Sequence, residues 1–554
     1  MVRPLPHLAC FLLAALTAHV GLATAGPAQT GPRGSKREPA TVTAMPQATL
    51  KLATATDEET ELAEDPARWE QRIAARIAAL GVEPEPTAAQ PAASDEDLRR
   101  RLNALAARAG GRLGIHVHDL SADRPLYDRA GDARLNPASN HKLLTAIASA
   151  ELLGADYSFE TRVERDGDAL YLVGEGDPSL QARDLYSLVT ELLAQDDLGN
   201  VRRLVVDDNA FTGVQVGPGY RAEDEGASYQ APSGALSLAF NTVEVTVTPG
   251  PFGEAATVSV NPPSAAVAVV GRVHTGRGRP LRVTSERGPG GTTRIRVSGS
   301  LSAGHTPQTI RRRVGDPGLF TAGAFASILA ERSGRAPLPI IRGRSPEGAT
   351  VVATRRSQPL HTVLASALKY SNNFTTEQVL RTLGWRASAT PGSWKNGAAA
   401  IRSLWTALGN APEDLTFENG SGLSTSGRVT PRSLVRLLAL TRRPGSSAAQ
   451  LVPALASPGG EGTLRLRLTQ AGDRVRAKTG TIGGVSALSG LITSEEGDRT
   501  LAFSILINGR QDLTESRRLQ DRLVLTMVEH LEHVPEDSPG DRLPPRPSGS
   551  VPRL

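Results

Sequence analysis

Cysteine is almost missing. The 554 residues hold one, Cys10, and it lies in an N-terminal stretch that reads as cleavable. A mature chain without cysteine has neither a disulfide framework nor a cysteine nucleophile. Aromatic residues are only 4% of the chain, so aliphatic and alanine side chains must fill the cores. Excess charge is scarce too. A net charge of +5 with no dense Lys/Arg block argues against a dedicated nucleic-acid surface. Past the first 30 residues no run reaches the ~18 consecutive apolar residues of a membrane span, so no transmembrane anchor is expected after cleavage.

Lysine is the other scarcity. Of 62 cationic side chains, six are lysine, at positions 36, 51, 142, 369, 395 and 478, and the other 56 are arginine. Where a surface charge is wanted, this chain uses arginine. Each lysine is therefore worth inspecting for what arginine cannot do, which is to lose its proton when buried and act as a base.

Residues 1–25 read as a secretory signal: Arg3 is the positive start, His7 to Leu22 is mainly apolar, and Ala23-Thr24-Ala25 is a small-residue cleavage site before Gly26. Residues 26–94 read as a linker containing a short amphipathic helix. In that helix Pro66 fits the first turn and Trp69, Ile73, Ile77 and Leu80 share a face. Ser94 and Asp97 resemble a capping box before Leu98, Leu102 and Leu105. Leu113, Ile115 and Val117 alternate with polar residues as in a half-buried strand, and the turn residues at 121–125 suggest a hairpin. Leu143 to Leu153 reads as a buried helix. From 160 to 311 short β-like runs are broken by Gly and Pro. From 312 to 533 helices return at 319–333, 361–383, 398–408, 431–440 and 512–531, with a strand pair at 487–493 and 501–508. A Pro-rich tail fills 534–554. A helix-rich body, 95–159 plus 312–533, interrupted by a β-rich insert is the simplest organisation.

Ser139 and Lys142 open the buried helix at i and i+3, so hydroxyl and amine share a face. Serine is a weak nucleophile that needs an adjacent base, and a lysine kept neutral by burial can supply one. Ser366 and Lys369 repeat the spacing and act as a decoy. Lys478-Thr479-Gly480, followed by Thr481, precedes an alternating strand. A strand edge with no side chain at Gly480 can lie against an extended peptide, while Lys478 and Thr479 hold a carboxylate. Ser371-Asn372-Asn373 sits between apolar helical stretches, where a polar cluster would point into a cleft. Ser-x-x-Lys, Ser-x-Asn and Lys-Thr-Gly in this order are the signature shared by penicillin-binding proteins and class A β-lactamases.

Further segments sharpen the likeness. Pro137 to Leu143, Gly174-Glu175-Gly176-Asp177-Pro178, Tyr229 to Ser237, Ser371 to Asn373 with Glu377 and Leu380, Gly420 to Ser424 with Arg428 to Pro431, and Gly462-Thr463-Leu464 resemble the D-alanyl-D-alanine carboxypeptidase/endopeptidase family, the class C low-molecular-mass penicillin-binding proteins. The resemblance covers roughly 95–533. Asn419 stands where that family usually has Asp. The resemblance implies an α/β transpeptidase-like domain, helices around an antiparallel sheet, with a large β-rich inserted region. It implies a serine peptidase acting on peptidoglycan stem peptides ending in D-Ala-D-Ala, covalently inhibited by β-lactams, in the periplasm or cell-wall space. It further implies Ser139 as nucleophile, Lys142 as base, the Ser139 and Thr481 N–H groups as oxyanion hole, Ser371 with Lys478 as proton donor, and Asn373 as orienter.

Two rivals need separating. A class A β-lactamase has far less between these motifs than the 232-position offset from Ser139 to Ser371, and no Glu-x-x-Leu-Asn deacylation segment lies between Ser371 and Lys478. An inactive peptidoglycan-binding scaffold would be expected to have lost Ser139, Lys142 or Lys478, and all three are present. No metal or cofactor is called for. His116 and His118 read as a polar strand face rather than a zinc pair, His530 and His533 as solvent-facing, and no Gly-x-Ser-x-Gly elbow occurs.

Overall fold

The computed structural model describes residues 66–82, 93–220, 226–388 and 390–532. The signal, the rest of the linker, His533 and the Pro-rich tail lie outside the described residues. Helical spacing of Trp69, Ile73, Ile77 and Leu80 produces α1 (Pro66–Ala79), and all four side chains enter the main core. Arg76 pairs with the fully buried Glu151 at 2.8 Å. The 66–82 stretch is thus a packed part of the body and not a linker. Ile73→Ala should cost about 2–5 kcal/mol of stability, read as a lower melting temperature. An unchanged melting temperature would return this stretch to the linker.

Helix α2 (Ala93–Ala106) starts one residue before Ser94, so Ser94 is not its N-cap. Strands β1 (Arg112–Asp119) and β2 (Arg124–Arg129) form the expected hairpin. From Leu113 onward β1 is buried on both faces, not one. His116 and His118 are accommodated there by carboxylates, Asp128 at 2.7 Å and Asp123 at 3.0 Å. Helix α3 (His141–Leu153) is buried along nearly its whole length.

The insert begins with β3 (Glu160–Asp166), β4 (Ala169–Gly174), α4 (Ala182–Gln195) and β5 (Arg203–Asp207). It continues through β6 (Thr242–Thr248), β7 (Thr257–Asn261), β8 (Val267–Gly271), β9 (His274–Thr275), β10 (Arg282–Arg287), β11 (Thr293–Ser298), β12 (Ser300–Leu301) and β13 (Gln308–Arg313). Then follow α5 (Pro317–Ser333), β14 (Ile340–Arg342) and β15 (Thr350–Arg356). Two three-stranded sheets, β13-β6-β7 and β10-β11-β8, share a small core of Val243, Val245, Val283 and Ile295. A five-stranded sheet runs β14-β5-β4-β3-β15, with α4 and α5 contributing to its core. This corrects two expectations. The insert contains a helix, α4, with Leu185, Leu188, Val189 and Leu192 on its buried face. It also extends past residue 311, because β15 pairs antiparallel with β3.

The chain then returns to the body as α6 (Leu360–Val363), α7 (Ala365–Tyr370), α8 (Asn373–Ser388), α9 (Trp394–Ala407), α10 (Pro431–Ala439), β16 (Val475–Ile482), β17 (Val485–Thr493), β18 (Thr500–Asn508) and α11 (Leu513–Glu532). The single helix expected at 361–383 is broken at Ser371, which adopts a left-handed φ of 65°. An antiparallel sheet β16-β17-β18-β1-β2 is the body's centre. One of its faces packs on the core containing α1, α3, α8, α9 and α10, and the other on α2 and α11. His530 on α11 is buried, not solvent-facing, 3.5 Å from Asp95. No helix among the described residues is long and apolar enough to cross a membrane.

Candidate active site

Three segments converge where the start of α3 meets the edge strand β16 and the α7–α8 break. Asn136 fixes the approach to α3. Its Oδ1 accepts from the Ala138 N–H at 2.7 Å and its amide donates to the Ser424 carbonyl at 3.0 Å. Ala138 is held at φ 46°, a strained value for a residue with a Cβ, and such strain gathers at functional sites. Gly422 makes this turn fit. Its φ is 75°, and a Cβ there would stand 2.1 Å from the Ala138 carbonyl oxygen.

Ser139 follows, and Lys142 Nζ lies 3.0 Å from its Oγ. The same amine donates to Asn373 Oδ1 at 2.8 Å and to the Ser421 carbonyl at 2.7 Å. Three partners match the three N–H bonds of an ammonium. A neutral amine would donate two and accept the proton of Ser139. Burial is the main reason the Lys142 pKa falls to about 7, and the charge of Glu377 opposes that fall. His141 is no rival base. Burial, with Lys142 nearby, lowers it to about 3, and its ring packs 5.2 Å from that of Phe417.

Lys478 Nζ donates to Ser371 Oγ at 2.9 Å and to the Thr479 carbonyl at 2.8 Å. Burial, with Lys142 adding repulsion, pushes its pKa well below the ordinary lysine value. The Asn140 amide bridges the segments, donating to the Lys478 carbonyl at 2.9 Å and accepting from Ser489 Oγ at 2.7 Å. Gly480 is equally constrained. A Cβ there would lie 2.7 Å from the Pro137 carbonyl oxygen and 3.1 Å from the Ser139 nitrogen. The Lys-Thr-Gly strand therefore passes directly beside the serine. Thr479 Oγ1 bonds Thr463 at 2.8 Å, and Thr481 Oγ1 receives a 3.4 Å contact from Arg517.

All eight residues expected from the sequence thus belong to these three joined segments. The decoy does not. Ser366 Oγ bonds Thr375 at 2.9 Å, and Lys369 reaches Glu461 at 3.8 Å. Sequence reasoning missed the bridging roles of Asn136 and Asn140 and the Ser421 carbonyl. Asn419 is buried and donates to the Pro218 carbonyl at 2.7 Å, a bond an aspartate could not make. It ties the insert to the 419–422 turn. A second tie runs from Asn373 Nδ2 to the Tyr229 carbonyl at 3.0 Å. Among the described residues no cluster of His, Cys, Asp and Glu could hold a metal ion.

A half-buried serine in contact with a buried lysine, beside a Lys-Thr-Gly edge strand and on helices packed around an antiparallel sheet, defines a serine peptidase of the penicillin-binding fold. The chain belongs to the D-Ala-D-Ala carboxypeptidase 3 (S13) family, whose model matches residues 96–529. It is 34% identical over 485 residues to a D-alanyl-D-alanine carboxypeptidase of an Actinomadura species, covering 82% of this chain and 89% of that one. It is 25% identical over 426 residues to the carboxypeptidase DacB of Haemophilus influenzae, covering 72% of this chain and 86% of that one. The fold matches the crystal structure of penicillin binding protein 4 (dacB) from Haemophilus influenzae with a TM-score of 0.66 at 23% identity, over 77% of this chain and 99% of that one. The protein is a serine-type D-Ala-D-Ala carboxypeptidase.

Proposed function

We propose that this carboxypeptidase works outside the cytoplasm on peptidoglycan stem peptides, through an acyl-enzyme on Ser139, and that β-lactams trap it there. The observation that carries the reading is the 3.0 Å contact between Ser139 Oγ and the buried Lys142 amine. Neutral Lys142 takes the Ser139 proton as Oγ attacks the carbonyl of the penultimate D-Ala. The Ser139 and Thr481 N–H groups receive the oxyanion. Ser371, bonded to Lys478, hands its proton to the departing amine of the terminal D-Ala as the C–N bond breaks, and the proton that Lys142 took up restores the Ser371 hydroxyl. Asn373 orients the peptide, while Lys478, Thr479 and the bare Gly480 edge receive its carboxylate end. Water then cleaves the ester, releasing the shortened stem and restoring the Ser139 hydroxyl.

Endopeptidase activity follows from the same chemistry. A crosslink also joins a D-Ala carbonyl to an amine, so only the leaving group differs. The first 25 residues, read as a signal, support export. A β-lactam presents a strained acyl group and a carboxylate to the same groups, and a β-lactam complex of the Haemophilus penicillin binding protein 4 has been solved.

Digestion of purified crosslinked peptidoglycan, with the fragments identified by mass, tests the reading. Release of free D-Ala from pentapeptide stems is expected, along with conversion of crosslinked dimers to monomers. Intact stems and crosslinks would contradict it. Pentapeptide trimming without dimer cleavage would remove the endopeptidase part alone.

A further inference from the structure

Glu377 has a place in this site that the reaction described above does not use. It lies one turn after Asn373 on α8, on the same helix face, and is 1% exposed. Its Oε1 accepts from the Ser421 N–H at 3.0 Å and from the Tyr220 hydroxyl at 3.3 Å. Its Oε2 accepts from the Gly420 N–H at 2.9 Å and from Trp394 Nε1 at 2.7 Å. Three of these four partners, the two backbone N–H groups and the Trp394 indole, can only donate.

Two of those donors belong to the Gly420–Ser421 backbone, and the Ser421 carbonyl in turn accepts from Lys142 Nζ at 2.7 Å. Thr145 on α3 bonds the Gly420 carbonyl at 2.9 Å, fixing the same peptide from the Lys142 side. The carboxylate, the backbone of Ser421 and the amine therefore form a continuous chain in a buried setting, where charges act strongly on one another. The charged and titratable groups around it are mostly cationic. Lys142 comes from α3 and Lys478 from β16, both fully buried. Arg381 comes from α8 itself, held by the Ser233 and Thr212 carbonyls at 2.9 Å and 2.8 Å; burial lowers its pKa to about 9, while Glu377 and Asp208 oppose that fall. Tyr220, from the insert, keeps its proton because burial and Glu377 both disfavour the phenolate. His141 is neutral across the working range.

We propose that Glu377 is a positioning residue that acts through the Gly420–Ser421 backbone. It holds Lys142 against Ser139 and sets the pH at which that amine becomes free to accept the serine proton. This rests on the Ser139–Lys142 assignment of the preceding subsection. The effect on Lys142 runs in the matching direction, since the negative charge of Glu377 raises a pKa that burial lowers.

The test is the pH dependence of acylation by a fluorescent penicillin in the full-length wild type, Glu377→Gln and Glu377→Asp. Losing the charge should lower the Lys142 pKa. In Glu377→Gln the acid-side midpoint should therefore move down by about one pH unit, and the plateau rate should drop at least about tenfold as the 420–421 turn loosens. Glu377→Asp keeps the charge with a shorter reach, so its rate should fall while the midpoint stays at the wild-type value. A slower Glu377→Gln enzyme with an unmoved midpoint would leave Glu377 a purely structural residue and overturn the proposal. If Glu377→Gln does not fold, Tyr220→Phe decides: with one donor fewer the Glu377 charge is less offset, so the acid-side midpoint should rise, and an unmoved or lowered midpoint would overturn the proposal. A wild type that is never acylated would defeat the underlying Ser139 reading instead, which keeps the two failures apart.

Discussion

Ser139→Ala should lose D-Ala release by at least about 10³-fold and lose covalent penicillin labelling altogether, because it removes the hydroxyl that the Lys142 amine contacts at 3.0 Å. The control is built into the sequence. Ser366 repeats the Ser-x-x-Lys spacing, but its Oγ is engaged with Thr375 and the Val363 carbonyl, and Lys369 lies toward Glu461. Ser366→Ala should label at the wild-type rate. Gel fluorescence after incubation with a labelled penicillin, together with a D-Ala assay, reads both variants. Labelling that survives in Ser139→Ala and vanishes in Ser366→Ala would move the nucleophile to α7.

Lys142→Arg should reduce acylation by about 10²–10⁴-fold although the positive charge is kept. Arginine does not deprotonate in proteins, so it cannot take the proton from Ser139. Its planar fork also cannot reproduce the contacts that one Nζ makes to Ser139, Asn373 and the Ser421 carbonyl. The wild-type pH profile carries the same information. Lys142 has a pKa of about 7, so the fraction of free base, and with it the acylation rate, should climb as pH rises through about 7. The Arg variant should lose that limb. Near-normal turnover in Lys142→Arg, measured by stopped-flow acylation, would show that another group is the base.

The site was legible in the sequence because its reactive residues sit in three short motifs in a chain with only six lysines. Spacing alone places Ser139 and Lys142 on one face, and the decoy is disfavoured because only one residue separates Lys369 from Ser371. What joins the motifs was not legible. Asn140, an intervening residue of the first motif, ties α3 to β16 through the Lys478 carbonyl, and the Ser421 carbonyl that holds Lys142 is a backbone group, which no side-chain pattern reveals. The left-handed turn at Ser371 was hidden because apolar side chains continue on both sides of it: Leu364, Ala367 and Leu368 before, Phe374 and Val379 after. Helical periodicity found α1, whose apolar face is regular, but the linker-like composition around it concealed that this face enters the main core. The true extent of the insert depends on Thr350–Arg356 pairing with Glu160–Asp166, a contact between distant segments that local pattern does not specify. Helix α4 was obscured by the β-like runs on either side of it, although Leu185, Leu188, Val189 and Leu192 do follow a helical spacing.

The most direct test of the central claim is intact-protein mass spectrometry after a brief incubation with benzylpenicillin, followed by peptide mapping. One whole penicillin should add to the wild-type chain, sit on the peptide containing Ser139, and persist after the free drug is removed. The missing Glu-x-x-Leu-Asn segment leaves that ester without the usual deacylating base, and the tethered ring fragment stays in the cleft. No mass increase would contradict a nucleophilic Ser139. Rapid return to the unmodified mass with penicilloic acid accumulating would make the protein a β-lactamase instead.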